Sequence, residues 1–70
     1  MKYGVNARVG NITVFSREGA IEAYKTFVNI CYKDISLESV HVLGQVESDM
    51  IALGFTPVEI ENIEIATISA

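Results

Sequence analysis

Seventy residues, half of them hydrophobic and only one of them proline, suffice for one folded domain over residues 1–70 and are too few for two. This composition argues against intrinsic disorder, which is marked by low hydrophobicity and high charge. The formal net charge of −4 argues against tight, salt-sensitive phosphate binding, which needs a basic domain or a basic face.

The sign of the charge changes along the chain. Five basic and two acidic residues fall in the first 33 positions, a balance of +3, whereas positions 34–70 hold seven acids and no lysine or arginine, a balance of −7. Such asymmetry could present a basic face to nucleic acid, or let opposite halves of two protomers attract each other. Alternatively, the charges intermix when the chain folds.

The single cysteine, Cys31, cannot form an internal disulfide and fits a reducing compartment, so we expect a cytoplasmic protein. No apolar run approaches the roughly 18 residues of a membrane span, and we expect no membrane partner. The mean hydropathy of +0.34 is high for so small a core. Because self-association would bury the excess apolar surface, we expect a homodimer.

The chain opens with the pattern of a β-hairpin. Residues 2–9 alternate between apolar and polar side chains, which is typical of a strand with one wet face. Gly10 and Asn11 then form a two-residue turn signal, and β-branched and aromatic residues follow at 12–15.

The next segment predicts a helix that begins at Arg17. Ser16 suits the N-cap, because its hydroxyl can accept a hydrogen bond from a free amide of the first turn, and Glu18 complements the positive end of the helix dipole. We expect the helix to fray between Tyr32 and Asp34. Apolar residues recur along it at intervals of three and four, and these are Ala20, Ile21, Tyr24, Phe27, Val28 and Cys31.

Two further strands are predicted in the acidic half. Residues 39–46 are rich in valine and predict a third strand, in which Gly44 indicates a bulge or a close contact. Ser48 and Asp49 then predict a turn. Residues 50–55 are ambiguous between a short helical turn and a returning strand, and we interpret them as a connector that Gly54 and Pro57 close. Residues 58–68 predict the last strand.

Isoleucines occur in both phases of that last strand. A β-bulge or bend at Glu61 and Asn62 would restore the apolar side to the core. The alternative is a strand that the helix covers on one face and a second protomer covers on the other. The predicted fold class is therefore α+β, an antiparallel sheet of about four strands with one helix packed across it, in the order β-β-α-β-β.

The residues carry no recognisable catalytic or metal site. His41 is the only histidine, and with Cys31 it cannot complete the three or four ligands of a zinc site. Glu59 and Glu61 would share a strand face, but general acid–base chemistry also needs a cleft, for which so small a domain has little room. We therefore expect a non-enzymatic binding protein with no cofactor, no metal and no small-molecule substrate.

Two surfaces are candidates for binding. Proteins that bind single-stranded nucleic acid combine a positive groove with aromatic platforms for the bases. The N-terminal half offers six such side chains, Lys2, Arg8, Arg17, Lys25, Lys33 and Tyr32. The last strand offers an acidic and apolar face for another protein or a second copy of the chain, made by Glu59, Glu61, Ile63 and Ile65.

Several short motifs resemble the small nonstructural protein of gokushovirus-type microviruses, which are single-stranded DNA bacteriophages. They are Lys2-Tyr3-Gly4-Val5, Ala20-Ile21-Glu22-Ala23-Tyr24 with Val28-Asn29, Asp34-Ile35-Ser36-Leu37, Val42-Leu43-Gly44-Gln45-Val46, and Pro57 ahead of a final apolar segment. The resemblance implies a role in genome replication or its switch to packaging, with single-stranded DNA or a replication protein as partner. It implies no site residues.

Three hypotheses follow for the function. The first is a phage-type nonstructural protein that binds DNA or a replication component through its basic N-terminal half. The second is a host-directed inhibitor or adaptor that binds one protein, through an acidic strand face around Glu59, Glu61 and Glu64 or through an open sheet edge. The third is a self-assembling structural module.

Overall fold

A computed structural model describes residues 3–69 and shows a short β-hairpin followed by three helices. No other helix or strand occurs within these residues. The elements are β1 (Arg8–Val9), β2 (Ile12–Thr13), α1 (Arg17–Lys33), α2 (Leu37–Ala52) and α3 (Pro57–Ser69).

The predicted opening hairpin is confirmed at its turn, but the strand predicted over residues 2–9 is wrong for residues 3–7, since β1 and β2 are only two residues long. β1 and β2 pair antiparallel around the turn at Gly10 and Asn11, with Val9 opposite Ile12. The Gly10 amide donates a hydrogen bond of 2.9 Å to the Asp49 carboxylate, which ties the hairpin turn to α2. The sheet therefore serves as a small cap on the helices.

The predicted first helix is also confirmed, including its N-cap. The Ser16 hydroxyl accepts from the Gly19 amide at 3.0 Å, and α1 ends at Lys33 with Asp34 as its C-cap. The predicted apolar stripe faces the core, although Ile21 and Phe27 are only half-buried. The fully buried positions of α1 are Ala20, Ala23, Tyr24, Val28 and Cys31.

The predicted third and fourth strands are wrong, and with them the α+β fold class of a four-stranded sheet crossed by one helix. Residues 39–46 lie inside α2, and residues 58–68 lie inside α3. The turn predicted at Ser48 and Asp49 is wrong, and the connector predicted at 50–55 is wrong in part, because α2 continues to Ala52 and only residues 53–56 join the two helices. The bulge proposed at Glu61 and Asn62 has no counterpart in a helix.

Hydrogen-bonded caps explain why these β-branched segments are helical. The Ser36 hydroxyl accepts from the Ser39 amide at 3.1 Å, and the Ser39 hydroxyl accepts from the Ser36 amide at 2.9 Å. Thr56 and Glu59 make the same reciprocal pair at the start of α3, at 3.1 and 2.9 Å. Each pair satisfies two amides that a helix start leaves free, so helix initiation is favoured at both sites.

The turn after α2 contains a glycine whose backbone is in the left-handed region. The Gly54 amide donates to the Ile51 carbonyl and the Phe55 amide to the Met50 carbonyl, at 2.9 and 3.1 Å, which are the two bonds of a Schellman motif. Gly54 has a φ of +101°, a region that L side chains rarely adopt. Phe55 and Met50 are both buried beneath this turn.

Replacing Gly54 with alanine is expected to lower the free energy of unfolding by about 1–2 kcal/mol, because the added Cβ is strained in the left-handed region. Urea unfolding followed by far-UV circular dichroism measures the loss. Gly54→Asn is the matched control and should lose less, since asparagine is the residue next best tolerated there. An alanine variant as stable as the wild type would contradict this account of the turn.

α1 is the centre of the helical packing. Both α2 and α3 contact it extensively, whereas α2 and α3 contact each other much less. The hairpin covers α1 and α2. Because α2 and α3 both pack against α1 and make few contacts with each other, a groove is left between them. Their main contributions to the core are Leu43, Val46 and Met50 from α2 and Ile60 from α3.

Candidate functional site

A groove lies between α2 and α3. It consists of two adjoining cavities of about 380 and 190 Å³, and Glu47 and Glu64 line both of them. We call this surface the α2–α3 groove. The larger cavity is also lined by Cys31, Tyr32, Ile35, Val40, Leu43 and Gly44, and the smaller one by Ile51, Pro57, Ile60 and Glu61.

Two tyrosines of α1 hold the shared carboxylates in place. The Tyr24 hydroxyl donates to Glu47 Oε2 at 3.1 Å, and the Tyr32 hydroxyl donates to Glu64 Oε2 at 2.6 Å. Burial, reinforced by the charges of Glu47 and Glu64, raises the pKa of Tyr24 far above its ordinary value of 10.0. The hydrogen bond to Glu64 is the main cause that raises the pKa of Tyr32. Both phenols therefore remain proton donors at neutral pH.

The acidic side chains of the groove have no cation beside them within residues 3–69. The salt bridges of this region join Arg17 to Glu59 and Lys25 to Glu22. Neither includes Glu47, Glu61 or Glu64. The groove thus presents a concentrated negative charge that no lysine or arginine of the described chain neutralises.

The groove is bordered by apolar side chains that face solvent. Val40 is 54% and Ile51 53% exposed, both in the lining on α2, and Ile35 just before this helix is 68% exposed. Covering apolar surface is favourable by roughly 25 cal/mol per Å². A partner that forms ion pairs with the carboxylates would therefore also gain binding free energy by covering the apolar side chains around them.

Gly44 lies at the middle of the α2 side of the groove. It costs the helix roughly 1 kcal/mol relative to alanine, and its backbone is in the ordinary helical region rather than at positive φ. A Cβ built on Gly44 would meet nothing within 4 Å. Neither backbone conformation nor packing within residues 3–69 therefore requires a glycine here.

The residues predicted to bind nucleic acid are spread over the molecule. Arg8 is exposed on β1, whereas Lys33 and Tyr32 lie at the far end of α1, about 24 Å along the helix from Arg17 at 1.5 Å per residue. Lys25 lies 3.4 Å from the carboxylate of Glu22. Lys2 lies outside the described residues.

Arg17 is engaged within the fold. Its guanidinium pairs with Glu59 and lies 4.3 Å above the centre of the Phe55 ring. The hydrogen bond from the Thr56 amide, with the contribution of Arg17, holds the pKa of Glu59 below its ordinary value of 4.5. The nucleic-acid site stays a prediction, and of its described cations none lines the groove.

The predicted protein interface is divided by the helical geometry of α3. On a strand its four residues would share one face, but helix positions turn by about 100° each. Glu59 pairs with Arg17, Ile63 packs against the core, and Glu61 and Ile65 are exposed. Only Glu61 among them lines the groove. The homodimer stays a prediction.

None of the known protein families, curated proteins or solved structures compared with this chain matches it. The resemblance to the microvirus nonstructural protein therefore stays a prediction. Within residues 3–69 no helix is long and apolar enough to cross a membrane. In the same range no three side chains of histidine, cysteine, aspartate or glutamate are grouped so that they could hold a metal ion.

Proposed function

We propose that this chain is a non-catalytic adaptor or inhibitor that binds a basic, partly apolar segment of one partner protein in the α2–α3 groove. The observation that carries the proposal is the combination of apolar walls with three carboxylates, Glu47, Glu61 and Glu64, that have no cation beside them in the described chain. The proposal agrees with the protein-binding hypothesis from the sequence, but it assigns the binding to a groove instead of a strand face.

The tyrosine contacts make this charge suited to specific recognition. Tyr24 and Tyr32 fix the positions of Glu47 and Glu64, so less side-chain freedom is lost when a lysine or arginine arrives. Hydrogen bonds between ionised groups are stronger than neutral ones, and desolvation by a covering segment strengthens them further. The apolar walls supply the covering surface.

The same charge disfavours nucleic acid as the ligand of the groove. Phosphate backbones are bound through lysine and arginine, whose binding releases counterions. An acidic groove repels a phosphate chain, and the cations of the described chain lie elsewhere on the surface. Protein is therefore the partner class that the groove favours.

A displayed library of peptides of about 18 residues, roughly 27 Å as helix, tests the proposal. The library is selected on the wild type and counter-selected on a Glu47→Lys/Glu64→Lys double variant. We expect enriched peptides to combine lysine or arginine with apolar residues and to bind with a Kd on the order of 10 μM. The double variant should bind them at least about 30-fold more weakly, because each 1.4 kcal/mol lost is a factor of ten.

The matched control is Glu18→Lys/Glu38→Lys, which makes the same change in net charge at two exposed positions outside the groove lining. Circular dichroism checks that both double variants fold. The proposal is wrong if no peptide is enriched, if the enriched peptides are acidic or uncharged, or if the control weakens binding as much as the groove variant does.

A further inference from the structure

The side of α2 that faces the groove has the spacing of a helix-packing seam. Its residues recur at alternating intervals of three and four, as the apolar positions of a heptad do. They are distinct from the buried stripe of Leu43, Val46 and Met50 on the same helix. The seam consists of Val40, Gly44, Glu47 and Ile51, which line the groove, and of Leu37, which continues the same spacing beyond the lining.

Gly44 stands at the midpoint of this seam. Seven residues separate it from each end, and the whole seam spans roughly 21 Å at 1.5 Å per residue. Glycine is the residue that permits close approach of another backbone, because it has no Cβ. The absence of any neighbour within 4 Å of a Cβ at Gly44 leaves that space open on the outside of the helix.

We infer that the occupant of the groove is an α-helix of the partner protein that crosses α2 at Gly44. Packed helices lie 8–10 Å apart according to the side chains at the contact, and a glycine at the crossing allows the shorter distance. This inference rests on the proposed function of the groove. It accounts for a residue that weakens α2 and that nothing in residues 3–69 requires.

The charges of the groove define which face of the partner helix meets α2. Glu47 lies on the seam one turn after Gly44, and Glu64 faces it from α3. Lysine or arginine residues three or four positions from the crossing point would reach these carboxylates, since such positions share a helix face. The partner helix therefore carries a small or apolar residue at the crossing and basic residues one turn away.

A second copy of this chain fits the same seam less well. An antiparallel two-fold pairing would place Gly44 against its counterpart, but the α2 that it brings in carries no lysine or arginine, so Glu47, Glu61 and Glu64 of both copies would be covered without a cation. Like charges without intervening cations oppose such an interface. A basic helix from another protein removes this conflict.

Gly44→Ala tests the inference with the tightest peptide from the displayed library as the probe. The variant should raise the unfolding midpoint by about 4–8 °C, because alanine favours the helix. It should weaken peptide binding at least about tenfold, because the methyl group obstructs the crossing. Ser48→Ala is the control, since it also favours the helix and lies outside the groove lining, and it should leave binding unchanged.

A proline placed at the centre of the peptide should abolish binding, because it breaks the peptide helix. If Gly44→Ala binds as well as the wild type while Glu47→Lys/Glu64→Lys does not, the crossing is wrong and the function of the groove stands. Undiminished binding of the proline peptide would mean an extended occupant and would overturn the inference. So would a wild-type dimer in sedimentation that Gly44→Ala dissociates. If no peptide is selected, the proposed function fails and this inference with it.

Discussion

Replacing Tyr24 with alanine is expected to lower the free energy of unfolding by about 3–5 kcal/mol, the usual loss when a large buried aromatic side chain is truncated. Tyr24 is the largest of the fully buried side chains in residues 3–69. A domain of this length has a total stability on the order of 4–10 kcal/mol, at 0.05–0.15 kcal/mol per residue. The variant should therefore be largely unfolded or close to it.

Urea unfolding by circular dichroism measures this loss, and Tyr24→Phe separates its two causes. The phenylalanine variant keeps the ring and removes only the hydroxyl that donates to Glu47. Its expected loss is about 1–2 kcal/mol, since a net hydrogen bond to a charged group contributes that order of stability. An alanine variant that unfolds at the wild-type urea concentration would contradict the position of this side chain at the centre of the core.

The first half of the fold could be predicted because local and tertiary signals agree there. Ser16 is a strong N-cap, and the apolar stripe that follows it has one period over the whole length of α1. The hairpin turn at Gly10 and Asn11 has a similarly specific local signal. Cys31 was correctly placed on the buried side.

The second half of the chain is helical where the sequence predicts strands. Helix initiation at its two caps outweighs the strand preference of its valines and isoleucines. Valine and isoleucine favour strands, but this preference depends on context and is modest in size. Thr56 and Glu59 form a capping box with Pro57 in the first helical position, which is a sequence-level helix start. The interval from Leu43 through Val46 to Met50 is also helical rather than alternating.

The predicted strands at 39–46 and 58–68 leave no place for the groove, because it exists only between the helices that these segments form. Glu61 and Glu64, two of the acidic side chains that the sequence analysis assigns to a partner protein, line the groove, whereas Glu59, the third, pairs with Arg17. Glu47 was missed altogether. If residues 37–52 form a helix, Val40, Gly44 and Glu47 share one face, because they are four and three positions apart. This spacing is the sequence signal for Glu47.

Replacing Phe55 with alanine is expected to cost about 3–5 kcal/mol, because this ring is 2% exposed and packs beneath the turn between α2 and α3. Its loss also removes the surface over which Arg17 lies. Urea unfolding measures the change, and a loss below about 1 kcal/mol would contradict the packing of this turn.

Arg17→Met is the companion variant, because it keeps an apolar stem over the ring and removes the charge. A cation that is half exposed to solvent contributes about 0.5–1 kcal/mol when it lies over an aromatic ring, and the ion pair with Glu59 adds little because both side chains are more than a third exposed. In the double variant with Phe55→Ala the loss should be smaller than the sum of the two single losses, since the two residues are in contact. Additive losses would mean that Arg17 acts independently of Phe55 and would contradict the contribution of this contact to stability. Coupled losses would instead assign Arg17 to the joint between α1 and the start of α3, where it supports the helix that forms one wall of the groove.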